Sequence, residues 1–174
     1  MISVYQLKPK FQALLQPLLL KLKKWGFTPN SLTILAFLLS LAMGLMSYYG
    51  PREISLVLFP FVLLLRMALN ALDGMMARQF QMQSKLGAAL NEMGDVLSDI
   101  VLYYPLYLLF SMDQIWIMAF LLLSVLNEFA GILGQAIGGE RRYDGPMGKS
   151  DRALVVGVLC ILFWFNAPIY HYLT

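Results

Sequence analysis

Apolar residues fall into long runs along this chain, separated by short polar stretches; that is the pattern of membrane-spanning helices rather than of alternating strands. Ser31 to Tyr49 makes the first predicted span, and Ile54 to about Ala77 the second, with a kink predicted at Pro60. Gly87 to Phe110 makes the third, Ile115 to about Ile137 the fourth, and Ala153 to Phe165 a short fifth. A sixth would begin at Ala167-Pro168, but the sequence stops at Thr174, so that span is expected to be missing or truncated. Ahead of the first span, Val4, Leu7, Phe11, Leu14, Leu15, Leu18 and Leu22 recur at helical spacing. Lys8, Lys10, Lys21, Lys23 and Lys24 lie between or after them. That arrangement suits an amphipathic helix on an anionic leaflet. The expected fold is all-α: a polytopic transmembrane helical bundle of five to six spans with an N-terminal amphipathic juxtamembrane helix. Residues 1–27 form the interfacial helix and 28–174 the transmembrane domain.

Composition supports this reading. Of 174 residues, 59% are hydrophobic and only 13% charged, about half the charged share of a soluble domain. Mean hydropathy is +0.67. A small soluble fold cannot hide so much apolar surface, and a disordered chain would be polar. Lone Cys160 and lone His171 exclude a disulfide scaffold and a His-rich metal site. Charges in the first 24 residues argue against a signal peptide. Trp25, Trp116 and Trp164 near span ends suit interfacial belts.

The basic residues set the predicted orientation. Five lysines precede the first span; Arg78 and Lys85 lie between the second and third; Arg141, Arg142, Lys149 and Arg152 lie between the fourth and fifth. The other side has only Arg52, and Arg66 is intramembrane. The N-terminus and the basic loops are therefore expected in the cytoplasm, with the protein in the plasma (inner) membrane. No nucleic-acid partner is expected. Gly131, Gly134, Gly138 and Gly139 permit close helix packing, either within one subunit or across a homodimer face.

Polar groups inside spans cost at least a few kcal/mol each near the bilayer centre, yet this chain has many. Arg66, Asn70 and Asp73 share one face of the second span, at steps of four and three. Asn91, Asp95 and Asp99 share one face of the third, with Glu92 beside them, and Asn127 and Glu128 lie in the fourth. Facing stripes of carboxylates and amides without His or Cys suit a hard cation such as Mg²⁺ or Mn²⁺. An internal salt-bridge network, with Arg66 balancing one acid, is the alternative. Gly74, Ala77 and Gly87 leave room for a ligand, Arg78 can bind a phosphate, and Ser84 offers a hydroxyl. The order of these residues suggests a metal-bridged diphosphate at the membrane surface.

The stretch from Asn70 to Asp95 reads NALDGMMAR, QFQMQSKL, GAALNEMGD. It resembles the signature of the CDP-alcohol phosphotransferases: Asp, two residues, Asp-Gly, two residues, Ala-Arg, about eight residues, Gly, three residues, Asp, three residues, Asp. Thr28-Pro29-Asn30 and Gly148-Lys149-Ser150-Asp151-Arg152 also look like that family's segments before its first and fifth spans. The resemblance implies attack of an alcohol on a CDP-linked lipid of the CDP-diacylglycerol type, releasing CMP. One or two divalent ions, Mg²⁺ or Mn²⁺, would be held among Asn70, Asp73, Asn91, Asp95 and Asp99, with Asp95 as base. Asn30, Asp73, Gly74, Ala77, Arg78, Ser84 and Gly87 would bind the donor. Arg141, Arg142, Lys149 and Arg152 would bind the acceptor, which suggests a phosphorylated alcohol.

Two positions depart from the signature. Asn70 and Asn91 stand where the family has its first and third Asp. The site then holds one metal or two weakly, or recruits Asp99 or Glu92, or belongs to a catalytically impaired member that binds CDP-lipid without turnover. A small cation transporter using the acidic stripes is a further alternative.

Overall fold

In a computed structural model, the backbone is described for residues 8–138 and 148–171, and the side chains of those residues except Lys8 and 166–171. The helices are α1 (Lys8–Lys24), α2 (Pro29–Tyr49), α3 (Arg52–Gln79), α4 (Lys85–Tyr103), α5 (Leu106–Leu109), α6 (Gln114–Ala136) and α7 (Lys149–His171). No strand occurs among the described residues. The all-α bundle is as expected. By length and composition α2, α3 and α6 are able to cross a membrane. Helices α4 and α7 are 19 and 23 residues long but carry the charges of the site.

Local sequence sets the boundaries. Gly26, with φ of 83°, ends α1: its N–H reaches the Lys23 carbonyl, and Phe27 N–H reaches Leu22. Thr28 then caps α2. Its hydroxyl accepts from Ser31 N–H, Ser31 Oγ accepts from Thr28 N–H, and Pro29 occupies the first turn. Ser84 caps α4 by accepting from Gly87 N–H at 2.9 Å.

Two expected boundaries differ. The third span was expected to run to Phe110, but α4 stops at Tyr103 and the chain restarts as the short α5. Pro105 lacks the N–H that would bond the Val101 carbonyl. That carbonyl lies against Gly44 of α2, where any Cβ would overlap it. The fifth span was expected over Ala153–Phe165, but α7 continues from Lys149 through Ala167-Pro168 to His171, so no sixth helix begins there. Helix α3 runs through Pro60 without ending.

Two apolar clusters hold the bundle. In one, Leu15, Leu19 and Leu22 of α1 pack on Leu32 and Ala36 of α2 and on Leu69, Leu72, Met75 and Met76 of α3. In the other, Met43, Leu56, Phe59, Leu63, Leu102, Tyr103, Ile117, Leu121, Val156 and Cys160 join α2, α3, α4, α6 and α7. One face of α1 is thus packed on protein rather than lying on lipid, while Leu14 and Leu18 on another face are exposed. Val4 and Leu7 lie outside the described residues. On α3 the two clusters are separated by Arg66, which is buried at 3% exposure and opens a polar layer.

Candidate active site

The polar layer divides into a closed part and an open part. In the closed part, Asp99 of α4 receives Arg66 of α3 at 2.6 Å and Arg152 of α7 at 2.8 Å, one guanidinium on each oxygen. Arg152 also reaches Glu128 of α6 at 2.9 Å. Asp99, Arg66 and Arg152 are all nearly inaccessible. Four helices therefore meet through one ion network. Each charge that loses water faces an opposite charge at close range, so removing one partner would strand the other.

The open part lies one turn towards the end of the bundle where α2, α4 and α7 begin. Asn70 Nδ2 donates to Asp95 Oδ1 at 3.0 Å. Lys149 forms an ion pair with the same oxygen. Arg66 donates to the Asp95 backbone carbonyl at 3.2 Å, tying the open part to the closed one. Asp73 is buried, and its Oδ2 accepts from Thr33 Oγ1 at 2.8 Å. The guanidinium of Arg78 folds back over Gly74: a Cβ there would sit 3.3 Å from it. At Gly87 a Cβ would lie 2.9 Å from both Asn30 Oδ1 and Ser84 Oγ, so glycine lets the starts of α2 and α4 approach.

These groups line one cavity of about 820 Å³. Asn30, Asn70, Asp73, Gly74, Ala77, Arg78, Ser84, Gly87, Asn91, Asp95 and Lys149 are all on its wall. At its other end Pro60, Leu63, Leu64 and Met67 of α3 face Leu154, Gly157, Val158 and Ile161 of α7. Phe11 and Gln12 of α1 close one side.

Two expected site residues lie elsewhere. Asp99 lies behind the cavity, with both oxygens taken by arginines. Arg152 does not line it either, being turned inward to Asp99 and Glu128. Arg141 and Arg142 lie outside the described residues. Sequence reasoning missed Thr33 and the pairing of Lys149 with Asp95. Thr33 carried only a faint signal, a hydroxyl one turn beyond the α2 cap in an otherwise apolar run.

Among the described residues, no three His, Cys, Asp or Glu side chains converge as a metal cage. At the signature positions the cavity offers two carboxylates, Asp73 and Asp95, and two amides, Asn70 and Asn91, all oxygen donors once the Asn70 amide turns over; Glu92, Glu128 and Asp151 also line it. That set fits a hard divalent ion completed by phosphate oxygens, as Mg²⁺ sites commonly are. It is too weakly charged for an all-protein cage.

The family model of the CDP-alcohol phosphatidyltransferases matches residues 27–173. The inner membrane protein YnbA of Escherichia coli (strain K12) is 48% identical over 156 residues, covering 90% of this chain and 78% of that protein. The bifunctional IPC transferase and DIPP synthase of Aquifex aeolicus (strain VF5) is 32% identical over 153 residues, covering 81% of this chain but only 34% of that protein. No solved structure matches. With a matched signature whose side chains gather on the wall of one cavity, the chain belongs to the CDP-alcohol phosphatidyltransferase family.

Proposed function

We propose that the protein transfers a phosphatidyl-type group from a CDP-linked lipid, of the CDP-diacylglycerol kind, to an alcohol, releasing CMP. The observation that supports this most is the single cavity with a polar end at Asn70, Asp73, Asn91 and Asp95 and an apolar end between α3 and α7. A diphosphate suits the first end and acyl chains the second. The alcohol oxygen bonds to the lipid-side phosphorus, the bond from that phosphorus to the CMP oxygen breaks, and CMP leaves with the electron pair. The alcohol proton goes to Asp95, whose contacts with Asn70 and Lys149 both fall on Oδ1. Arg78 binds phosphate oxygens, Ser84 and the α4 start receive the same group, and Asn30 meets the nucleotide. Thr33 fixes the Asp73 carboxylate in place. A divalent ion held by Asp73, Asp95 and the two amides would neutralise charge on the diphosphate.

Helices α4 and α7 cross the bilayer in this reading, with their charges turned to the protein. The basic end faces the cytoplasm. Lys149 reaches the cavity and is the acceptor-side cation, joined by Arg141 and Arg142 where the acceptor is phosphorylated. A homodimer face at Gly131 and Gly134 is compatible with their setting, since outside their own helix no described atom lies within 4 Å of a Cβ built there.

Purified protein in nanodiscs, given CDP-diacylglycerol, Mg²⁺ or Mn²⁺ and a panel of alcohols, is expected to release CMP. Asn at two carboxylate positions favours a second reading, a CDP-lipid-binding protein without turnover. Donor binding with no CMP from any alcohol would select it.

A further inference from the structure

The cavity carries a cation from outside the Asn70–Asp95 signature. Lys149 pairs with Asp95, and both side chains are largely withdrawn from solvent, at 22% and 18% exposure. The pairing does not stand alone: a second, buried ion pair joins α7 to α4 through Arg152 and Asp99. Arg152 stands three residues after Lys149, one turn along α7; Asp99 stands four after Asp95, one turn along α4. The buried Arg152–Asp99 pair is therefore the lower rung of a ladder whose upper rung is Lys149–Asp95. A buried rung held at 2.8 Å leaves the upper one little freedom to slide.

At the four signature positions Asp73 and Asp95 contribute −2 and Asn70 and Asn91 nothing, and Lys149, in contact with Asp95, offsets one of those charges. Arg78 and the acids Glu92, Glu128 and Asp151 also line the wall. One divalent ion has Asp73 and Asp95 to itself. A second would have to share the same two carboxylates beside an ammonium already in contact with one of them. We propose that Lys149 is a resident cation of the site, holding part of the Asp95 charge that a metal would otherwise take, so that the cleft accepts a single divalent ion.

The proposal rests on the metal-dependent reading above, and Mn²⁺ binding taken with CMP release separates the two. Free Mn²⁺ is followed by electron paramagnetic resonance on the full chain in detergent, with no substrate. The wild-type protein is expected to bind one Mn²⁺ per chain. Lys149→Met and Lys149→Gln are expected to bind it at least tenfold more tightly, because a repelling charge is removed. Lys149→Arg is expected to stay within twofold of wild type, as is Lys24→Met, which removes a lysine remote from the cavity. Size-exclusion profiles identify any variant that is not folded, and two neutral substitutions guard against losing one. Two Mn²⁺ in the wild type, or unchanged or weaker binding in the neutral variants, overturns the proposal and leaves the metal-dependent reading standing. No Mn²⁺ in wild type or variants overturns the proposal, and CMP release that does not depend on a divalent ion overturns the metal-dependent reading.

Discussion

Replacing Asp99 by Asn separates a structural role for this carboxylate from a metal-binding one. Asn keeps the shape and removes the charge that faces Arg66 at 2.6 Å and Arg152 at 2.8 Å. Arg152 keeps Glu128 at 2.9 Å, but Arg66 keeps only the Asp95 carbonyl at 3.2 Å. Leaving a buried charge without its partner costs about 3–5 kcal/mol. Because Glu128 still serves Arg152, the low end applies, about 3 kcal/mol, a roughly hundredfold shift in the folding equilibrium. At about 2–4 °C per kcal/mol for a chain of this length, the melting midpoint falls by roughly 6–12 °C. The assay is thermal unfolding in detergent, with and without Mn²⁺. The expected loss is the same in both conditions, and Mn²⁺ affinity in the surviving protein stays near wild type. A double-mutant cycle with Arg66→Met should give a coupling of about 0.5–3 kcal/mol. A metal-free melting point within about 2 °C of wild type, together with a large loss of Mn²⁺ affinity, would refute the reasoning.

Three further outcomes follow from single contacts. Gly44→Ala places a methyl on the Val101 carbonyl oxygen and should destabilise the protein by about 1–3 kcal/mol; a melt equal to wild type would show that α2 and α4 separate freely. Thr33→Val leaves the buried Asp73 oxygen without its hydroxyl donor, costing about 1–3 kcal/mol, and should lower CMP release while Thr33→Ser preserves it. Gly87→Ala puts a Cβ 2.9 Å from Asn30 Oδ1 and Ser84 Oγ. It should raise KM for the CDP-lipid; Ser84→Ala removes the α4 cap, worth about 1 kcal/mol in a thermal melt, together with a hydroxyl on the donor side, and should raise KM as well.

What the sequence determined by itself is what periodicity and spacing can carry. Runs of apolar residues located the long helices, α2, α3 and α6 among them with the length and composition to cross a bilayer, which demands about 20 such residues per span. Steps of three and four placed Arg66, Asn70 and Asp73 on one face of α3, and Asn91, Asp95 and Asp99 on one face of α4, and both stripes do turn into the protein. The motif brought together the residues that line the cavity, Gly74 and Gly87 among them, because close approach needs a missing side chain. Only the tertiary structure decided depth and partners. Asp95 and Asp99 are equivalent on the α4 face, yet one turn of about 5.4 Å takes the stripe from an open cavity to a closed ion network. Lys149 and Arg152 look alike in sequence as members of a basic loop, but the setting of α7 against α4 sends one to Asp95 in the cavity and the other to Asp99 behind it. A helix repeat fixes which side chains share a face. Which opposite charge each one meets depends on the axial register between helices distant in sequence, and that register is set by packing across the whole bundle.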